Sequence, residues 1–249
     1  MPKCCPDYRA APKIDRRGVL ALTGIGLPAA LAAMSLAVPR AEAAQIAAPR
    51  SPDESLAALQ EGNARYAAAP ELCTAKLTEQ RASVVSGQAP WATIVSCADS
   101  RVPPELIFGG RGPGELFVAR NAGNLVDTGA IGTVEYGAAV LGSPLIVVLG
   151  HSKCGAVDAA CKVVTENATY PGSIGPMIDP IVPAALAVRD KSGDFLANTI
   201  RESALRTARR LTTASTILSD LAETGKLKIV AAEYDLDTGK VDFFETDAG

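Results

Sequence analysis

Two short segments of the sequence carry the residue types best suited to chemistry. Residues 97–101 contain a cysteine, an aspartate and an arginine at alternate positions, and residues 150–155 contain a histidine with a second cysteine three residues later. Two cysteines and one histidine form a known set of zinc ligands that leaves the fourth tetrahedral position open. Thiolates and imidazole favour zinc over magnesium or calcium, which prefer oxygen ligands. The sequence therefore predicts a zinc site built from Cys97, His151 and Cys154.

The residues around the predicted ligands leave several roles open. His151 is the only histidine of the chain, so any imidazole ligand or base must be this residue. Asp99 could fill the fourth metal position or act just outside it, and Arg101 could pair with Asp99 and keep it ionised and oriented. Alternatively, Cys97 and Cys154 are small buried hydrophobic residues or form a disulfide. A disulfide would leave His151 and the Asp99–Arg101 pair without a role.

The composition narrows the class of protein. Of the 249 residues, 48% are hydrophobic and 20% are charged, and the formal net charge is −3. Apolar side chains are frequent enough for a packed core, which excludes a disordered chain. The acidic balance argues against a nucleic-acid-binding protein, which usually carries a basic excess. Six cysteines in a chain of this length are too few for a disulfide scaffold.

Residues 1–43 are predicted to be an export signal rather than part of the fold. Arg16 and Arg17 precede an apolar run of 20 residues, and residues 41–43 form an A-x-A cleavage site. The arginine pair resembles a twin-arginine signal, whose pathway exports folded proteins. We therefore expect cleavage, export to the periplasm, no membrane association afterwards, and a mature domain over residues 44–249. The alternative is an uncleaved anchor, because 20 apolar residues could span a bilayer.

Alternating strand and helix patterns predict the elements that position these residues. Three apolar runs rich in β-branched residues are typical of strands buried on both faces: residues 92–96, 116–119 and 145–149. Four segments before, between and after these runs have the apolar spacing of helices: residues 51–69, 77–85, 129–141 and 194–221. Gly62 and Asn63 interrupt the pattern of the first segment. A closing hairpin is expected from residues 228–234 and 241–244, with a turn at 237–239.

This order of elements predicts a single α/β domain with a mainly parallel central sheet flanked by helices. The two candidate segments follow the first and third predicted strands. Because ligands of such sheets bind outside the carboxyl ends of the strands, we expect the predicted zinc ligands to meet there.

Several motifs together resemble one known family. The pattern C-x-D-x-R at residues 97–101 and the pattern H-x-x-C-G at residues 151–155 are accompanied by further matching segments: residues 61–66, 100–103, 119–124 and 234–239. In this combination the sequence resembles the β-class carbonic anhydrases over nearly all of residues 51–249. The resemblance implies a small parallel-core sheet flanked by helices. It also implies an N-terminal helical arm at residues 51–69, which reaches across an obligate homodimer or higher homo-oligomer.

The resemblance implies roles for particular residues. The Zn²⁺ ligands of the family are matched by Cys97, His151 and Cys154, and its catalytic dyad is matched by Asp99 and Arg101. Asp99 would be a fourth metal ligand in a closed form of the site. Because Ile94 stands where bicarbonate-regulated members carry tryptophan, we expect the open form. The substrate-binding residues of the family, whose aromatic members come partly from the neighbouring subunit, are matched by Gln88, Phe117 and Tyr136. An apolar pocket near Phe117 and Val118 would hold CO₂.

The activity that the resemblance implies is the reversible hydration of CO₂ to bicarbonate and a proton, by a zinc-dependent lyase. Zinc lowers the pKa of bound water to about 7. Asp99 would accept a hydrogen bond from the zinc-bound oxygen while Arg101 orients Asp99. The proton would leave through Asp99, water, buffer or Tyr136, since no second histidine is present. Two alternatives stay open: a hydrolase of CS₂ or COS on the same scaffold, and a non-catalytic zinc-binding protein.

Overall fold

The fold is seen in a computed structural model that describes residues 51–72 and 77–244. The predicted export signal at residues 1–43 lies outside the described residues, and so does Cys73. Within the described ranges, every helix is too short or too polar to cross a bilayer.

One sheet forms the centre of the described chain. Its strands are β1 (Ala92–Cys97), β2 (Leu116–Asn121), β3 (Leu145–His151), β4 (Lys228–Tyr234) and β5 (Val241–Phe244). The spatial order is β2-β1-β3-β4-β5, with β1 to β4 parallel and β5 antiparallel to β4. The predicted parallel sheet is therefore confirmed. Because β1 lies between β2 and β3, the winding direction changes at β1, and the carboxyl ends of β1 and β3 adjoin at this point.

Helices flank the sheet, and their ends follow local signals in the sequence. In the described residues they are α1 (Pro52–Ala68), α2 (Leu77–Ser83), α3 (Pro104–Ile107), α4 (Thr128–Glu135), α5 (Gly155–Glu166), α6 (Ile174–Ile178), α7 (Val182–Val188), α8 (Phe195–Ala214) and α9 (Thr216–Glu223). A capping box begins α1, since Glu54 N–H donates to Ser51 Oγ at 3.1 Å and Ser51 N–H donates to Glu54 Oε2 at 2.9 Å. Ser215 separates α8 from α9 and caps the latter.

Two apolar layers hold the sheet, one on each face. The whole of β3 is buried, with Ile146 and Val148 facing one layer and Leu145, Val147 and Leu149 facing the other. Residues of α4, α8 and α9 cover the first face, and residues of α1 and α3 cover the second. Burial on both faces explains why the sequences of β1 and β3 are almost uninterrupted apolar runs.

The first helix continues through Gly62 and Asn63, where the sequence pattern predicts an interruption. Both residues are buried. A Cβ atom at Gly62 would clash with the carbonyl group of Phe108, so glycine allows α1 to approach the end of α3. Asn63 Nδ2 donates to the carbonyl oxygens of Ile107 at 3.2 Å and Gly239 at 2.9 Å. These contacts pack α1 against its own domain.

The predicted helix over residues 129–141 is α-helical only as far as Glu135. A π-helical segment, Tyr136–Val140, follows it directly. A Cβ atom at Gly137 would lie 2.8 Å from Thr93 Oγ1 and 2.9 Å from Phe117 Cδ1, so only glycine lets this segment approach the sheet so closely. The close approach places Tyr136 beside β2.

Candidate metal centre and active site

Three potential metal ligands converge where β1 and β3 end. Cys97 is the last residue of β1, His151 is the last residue of β3, and Cys154 immediately precedes α5. Their ligand atoms all lie within 4.8 Å of one another, and all three side chains are buried. The structure therefore brings together the three residues that the sequence predicts as metal ligands.

The donor atoms fit a zinc ion. The Sγ atoms of Cys97 and Cys154 are 4.0 Å apart, close to the ~3.8 Å that two thiolates at about 2.3 Å from one tetrahedral zinc would have. His151 Nδ1 lies 2.9 Å from the carbonyl oxygen of Ser152, to which it donates as Nδ1–H. His151 Nε2 then carries a lone pair, and it is buried without a hydrogen-bond partner. A metal ion would satisfy this acceptor, whose burial otherwise costs stability.

The two thiols perturb each other. The pKa of Cys97 is lowered, mainly because the Cys154 thiol donates a hydrogen bond to its sulfur. The backbone N–H of Gly123 donates to the same sulfur at 3.4 Å. The pKa of Cys154 is raised by that shared bond and by burial. The hydrogen bond between the two sulfurs therefore favours the thiolate form of Cys97 and opposes that of Cys154.

Asp99 and Arg101 form a tightly bonded pair beside the ligands. Arg101 donates from Nε to Asp99 Oδ1 at 2.9 Å, from Nη2 to Asp99 Oδ2 at 2.7 Å, and from its backbone N–H to Asp99 Oδ1 at 2.9 Å. These hydrogen bonds from the guanidinium hold the pKa of Asp99 well below its usual range. Asp99 Oδ2 lies 3.9 Å from His151 Nε2. An ionised carboxylate of fixed orientation thus borders the metal ligands.

Comparisons with known proteins decide the family. Residues 92–241 match the sequence model of the family described as carbonic anhydrase. Carbonic anhydrase 2 of Mycobacterium tuberculosis is 36% identical over 183 residues, which cover 74% of this chain and 88% of that protein. The chain belongs to the carbonic anhydrase family. The residues matched to the family include the converging ligands and the Asp99–Arg101 pair.

Solved structures of β-class carbonic anhydrases share the fold. The Coccomyxa β-carbonic anhydrase in complex with acetazolamide is 28% identical, with a TM-score of 0.58 over 75% of this chain and 85% of that chain. One of two tetrameric β-carbonic anhydrases of Sordaria macrospora is 26% identical, with a TM-score of 0.56 over 77% of this chain and 97% of that chain. The predicted family and fold are therefore confirmed.

The predicted substrate-binding residues occupy different parts of the structure. The ring centroids of Phe117 and Tyr136 are 6.2 Å apart, and Tyr136 is half-exposed. Val118 follows Phe117 on β2 and therefore points to the opposite face of the sheet, where it packs on the layer that faces α1. Gln88 is exposed in the segment between α2 and β1. The structure thus brings Phe117 and Tyr136 together on one face of the sheet, whereas Val118 lies on the opposite face.

Arg120 contacts the site, although its residue type and spacing in the sequence predict no role for it. From β2, its Nε donates to the carbonyl oxygen of Cys97 at 2.9 Å and its Nη2 donates to the carbonyl oxygen of Asp99 at 2.6 Å. One guanidinium therefore spans the segment that carries both the first ligand and the carboxylate. The only sequence signal was its position in the segment 119–124, which contributes to the family resemblance.

Proposed function

We propose that this chain is a zinc-dependent carbonic anhydrase, which catalyses the reversible hydration of CO₂ to bicarbonate and a proton. Zinc would be held by Cys97, His151 and Cys154. The observation that carries the proposal is the buried, unpartnered Nε2 of His151, which lies beside two thiols and a carboxylate fixed by arginine. Family membership supports the same activity.

The residues around the metal suit the chemistry of hydration. Zinc bound here supplies a Lewis acid that makes water a nucleophile near neutral pH. The ionised Asp99 carboxylate would accept a hydrogen bond from the attacking water or hydroxide, and so would direct an oxygen lone pair towards the carbon of CO₂. Arg101 holds both carboxylate oxygens of Asp99, so this orientation is maintained.

We assign the proton released by the reaction to a route other than Asp99. Arg101 keeps the pKa of Asp99 far below neutral, so this carboxylate does not take up a proton at pH 7. The single histidine donates through Nδ1 and directs Nε2 to the metal site. We therefore assign proton release to water and buffer, because the Arg101 side chain beside Asp99 is half-exposed to solvent.

A second copy of the chain would complete the substrate pocket. The register of β1 and β2 pairs Phe117 with Thr93, four residues before Cys97, which places Phe117 about 13 Å along the sheet from the ligand of its own chain. Tyr136, whose ring contacts that of Phe117, is 49% exposed, and Val140 of the same π-helical segment is 64% exposed. We assign Phe117 and Tyr136 to the pocket of a neighbouring subunit in a homodimer or larger homo-oligomer. Gln88 is proposed as a substrate contact on the motif match alone, and Val118 only on its apolar character and its place next to Phe117 in the sequence of β2.

Export to the periplasm is proposed from the sequence of residues 1–43. The free cysteines of the described chain include the paired thiols of the metal site. A chain threaded unfolded into an oxidising compartment would expose these thiols before metal binds. Export of a folded, metal-loaded protein avoids this risk and suits the arginine pair Arg16-Arg17.

Zinc content and substrate assays on the same preparation test the proposed activity. We expect one zinc per chain, CO₂ hydration by stopped-flow from about pH 6.5 to 9, and slower or absent turnover of CS₂ and COS. Full zinc occupancy without CO₂ hydration would contradict the proposal. Hydrolysis of CS₂ or COS in that case would indicate the other enzyme on this scaffold, and inactivity with all three would indicate a non-catalytic zinc-binding protein.

A further inference from the structure

The residues between His151 and Cys154 are held by the turn that joins β4 to β5. We name residues 151–154 the ligand loop and residues 235–239 the closing turn. The backbone N–H of Ser152 donates to the carbonyl oxygen of Tyr234 at 2.9 Å. The backbone N–H of Leu236 donates to Ser152 Oγ at 2.9 Å. The ligand loop is thus bonded to the last residue of β4 through the backbone of Ser152, and to the closing turn through the hydroxyl group of the same serine.

Lys153 adds a second connection between the two segments. Its φ angle is +56°, in the left-handed region that favours glycine, so the ligand loop reverses direction at a strained residue. Lys153 Nζ donates to both carboxylate oxygens of Asp237, each at 2.8 Å. Its carbonyl oxygen accepts a hydrogen bond from Arg101 Nη2 at 3.4 Å. Lys153 therefore contacts the closing turn through its side chain and Arg101 of the Asp99–Arg101 pair through its carbonyl oxygen.

The closing turn is itself fixed from within and from α1. Asp235 Oδ1 accepts hydrogen bonds from the backbone N–H groups of Asp237 and Thr238 at 2.9 and 2.8 Å. On the other side, the buried Asn63 donates to the carbonyl oxygen of Gly239 at 2.9 Å and accepts from the backbone N–H of Val241 at 2.8 Å. The turn therefore provides a firm support for the ligand loop.

We propose that the closing turn positions the metal ligand His151, and that Ser152 is the positioning residue through which it acts. All three polar groups of Ser152 are used: its N–H and its hydroxyl bind Tyr234 and Leu236, and its carbonyl oxygen accepts from His151 Nδ1. Fixing that carbonyl fixes the ring tautomer and the direction of Nε2. This inference rests on the zinc site of the proposed function, and it gives a role to the segments 61–66 and 234–239 of the family resemblance.

The variant Ser152→Ala tests the proposal on the purified holoenzyme. It removes the acceptor of the Leu236 N–H group and leaves every metal ligand in place. We expect zinc release to a chromophoric chelator to become about 10- to 100-fold faster, as for other groups that orient a metal-bound histidine. The Co²⁺-substituted variant should also show shifted ligand-field bands. Ser152→Thr keeps the hydroxyl and should restore both the release rate and the spectrum.

Ser215→Ala is the matched control for a general loss of stability. Ser215 Oγ also accepts a backbone N–H, that of Leu218 at 3.1 Å, but it does so at the start of α9. This variant should melt at a lower temperature while its zinc release and Co²⁺ spectrum stay those of the parent. Parental zinc release from Ser152→Ala, or equal acceleration by Ser215→Ala, would overturn the positioning role.

The outcomes for the two proposals are distinguishable. A parent that holds zinc but does not hydrate CO₂ refutes the proposed function, and its zinc-release rates still test the positioning role of Ser152. An active parent whose Ser152→Ala variant releases zinc at the parental rate overturns the positioning role alone.

Discussion

Removal of the Arg120 guanidinium should slow catalysis without emptying the metal site. Arg120 is on β2, and it contacts the site only through the carbonyl oxygens of Cys97 and Asp99, at 2.9 and 2.6 Å. These two carbonyls belong to the segment whose backbone direction decides where the Asp99 carboxylate points. In Arg120→Met the segment loses this support, while the thiols, the imidazole and Arg101 remain.

The size of the effect follows from the two hydrogen bonds. A hydrogen bond with a charged partner contributes roughly 1.5–3 kcal/mol, and we take about 1 kcal/mol each because the Arg120 side chain is exposed. A loss of about 2 kcal/mol in the positioning of Asp99 corresponds to a ~30-fold lower kcat. Arg120→Lys should recover little of it, since an ammonium cannot span two carbonyls as a planar fork does.

Stopped-flow CO₂ hydration, with zinc content measured on the same samples, checks this prediction. Arg210→Met is the matched control, because Arg210 Nε also donates to a backbone carbonyl, that of Val126 at 3.1 Å, away from the ligands. We expect the control to keep the parental kcat. If Arg120→Met keeps the parental kcat as well, or if Arg120→Lys restores it fully, the positioning argument is refuted.

Further predictions concern the ligands, the proton and export. Loss of zinc and activity together is expected for each of Cys97→Ser, His151→Ala and Cys154→Ser, since an open three-ligand site does not hold metal with two; full zinc occupancy in His151→Ala would refute the ligand assignment. Cys161→Ser should keep the zinc stoichiometry, and lost metal there would mean that the wrong thiols were chosen. Because Asp99 stays ionised, kcat at neutral pH should rise with buffer concentration until another step limits it; a buffer-independent kcat at low buffer would point to an internal shuttle. Arg16→Lys combined with Arg17→Lys should leave an active, uncleaved precursor in the cytoplasm, and undiminished export would contradict the twin-arginine signal.

The elements that sequence predicts well are those whose local pattern and tertiary setting agree. β1 and β3 are buried on both faces, so their apolar runs indicate both the strand and its central place in the sheet. The start of α1 is predicted by a capping box that depends on Ser51 and Glu54 alone. The ligands are predictable for a related reason: Cys97 and His151 end buried strands, Cys154 follows His151 by three residues, and the chain has one histidine.

Contacts between distant segments are what the sequence could not show. Gly62 packs against the end of α3, and Asn63 is hydrogen-bonded to the closing turn. These tertiary contacts outweigh the low helix propensity of both residues, so α1 continues where the sequence pattern predicts an interruption. Arg120 and Ser152 act on backbone carbonyl and N–H groups, which every residue type carries except that proline lacks the N–H. No pattern of residue types in the sequence predicts hydrogen bonds to backbone groups of distant segments. The roles of Arg120 and Ser152 can therefore be inferred only from the folded structure.

The most direct test of the account is the CO₂ hydration rate of one preparation as its zinc content is raised from metal-free protein. We predict a rate that rises in proportion to bound zinc and stops rising at one zinc per chain, the capacity of a single Cys97–His151–Cys154 site. A rate that is independent of zinc, or no hydration at full occupancy, would contradict the account.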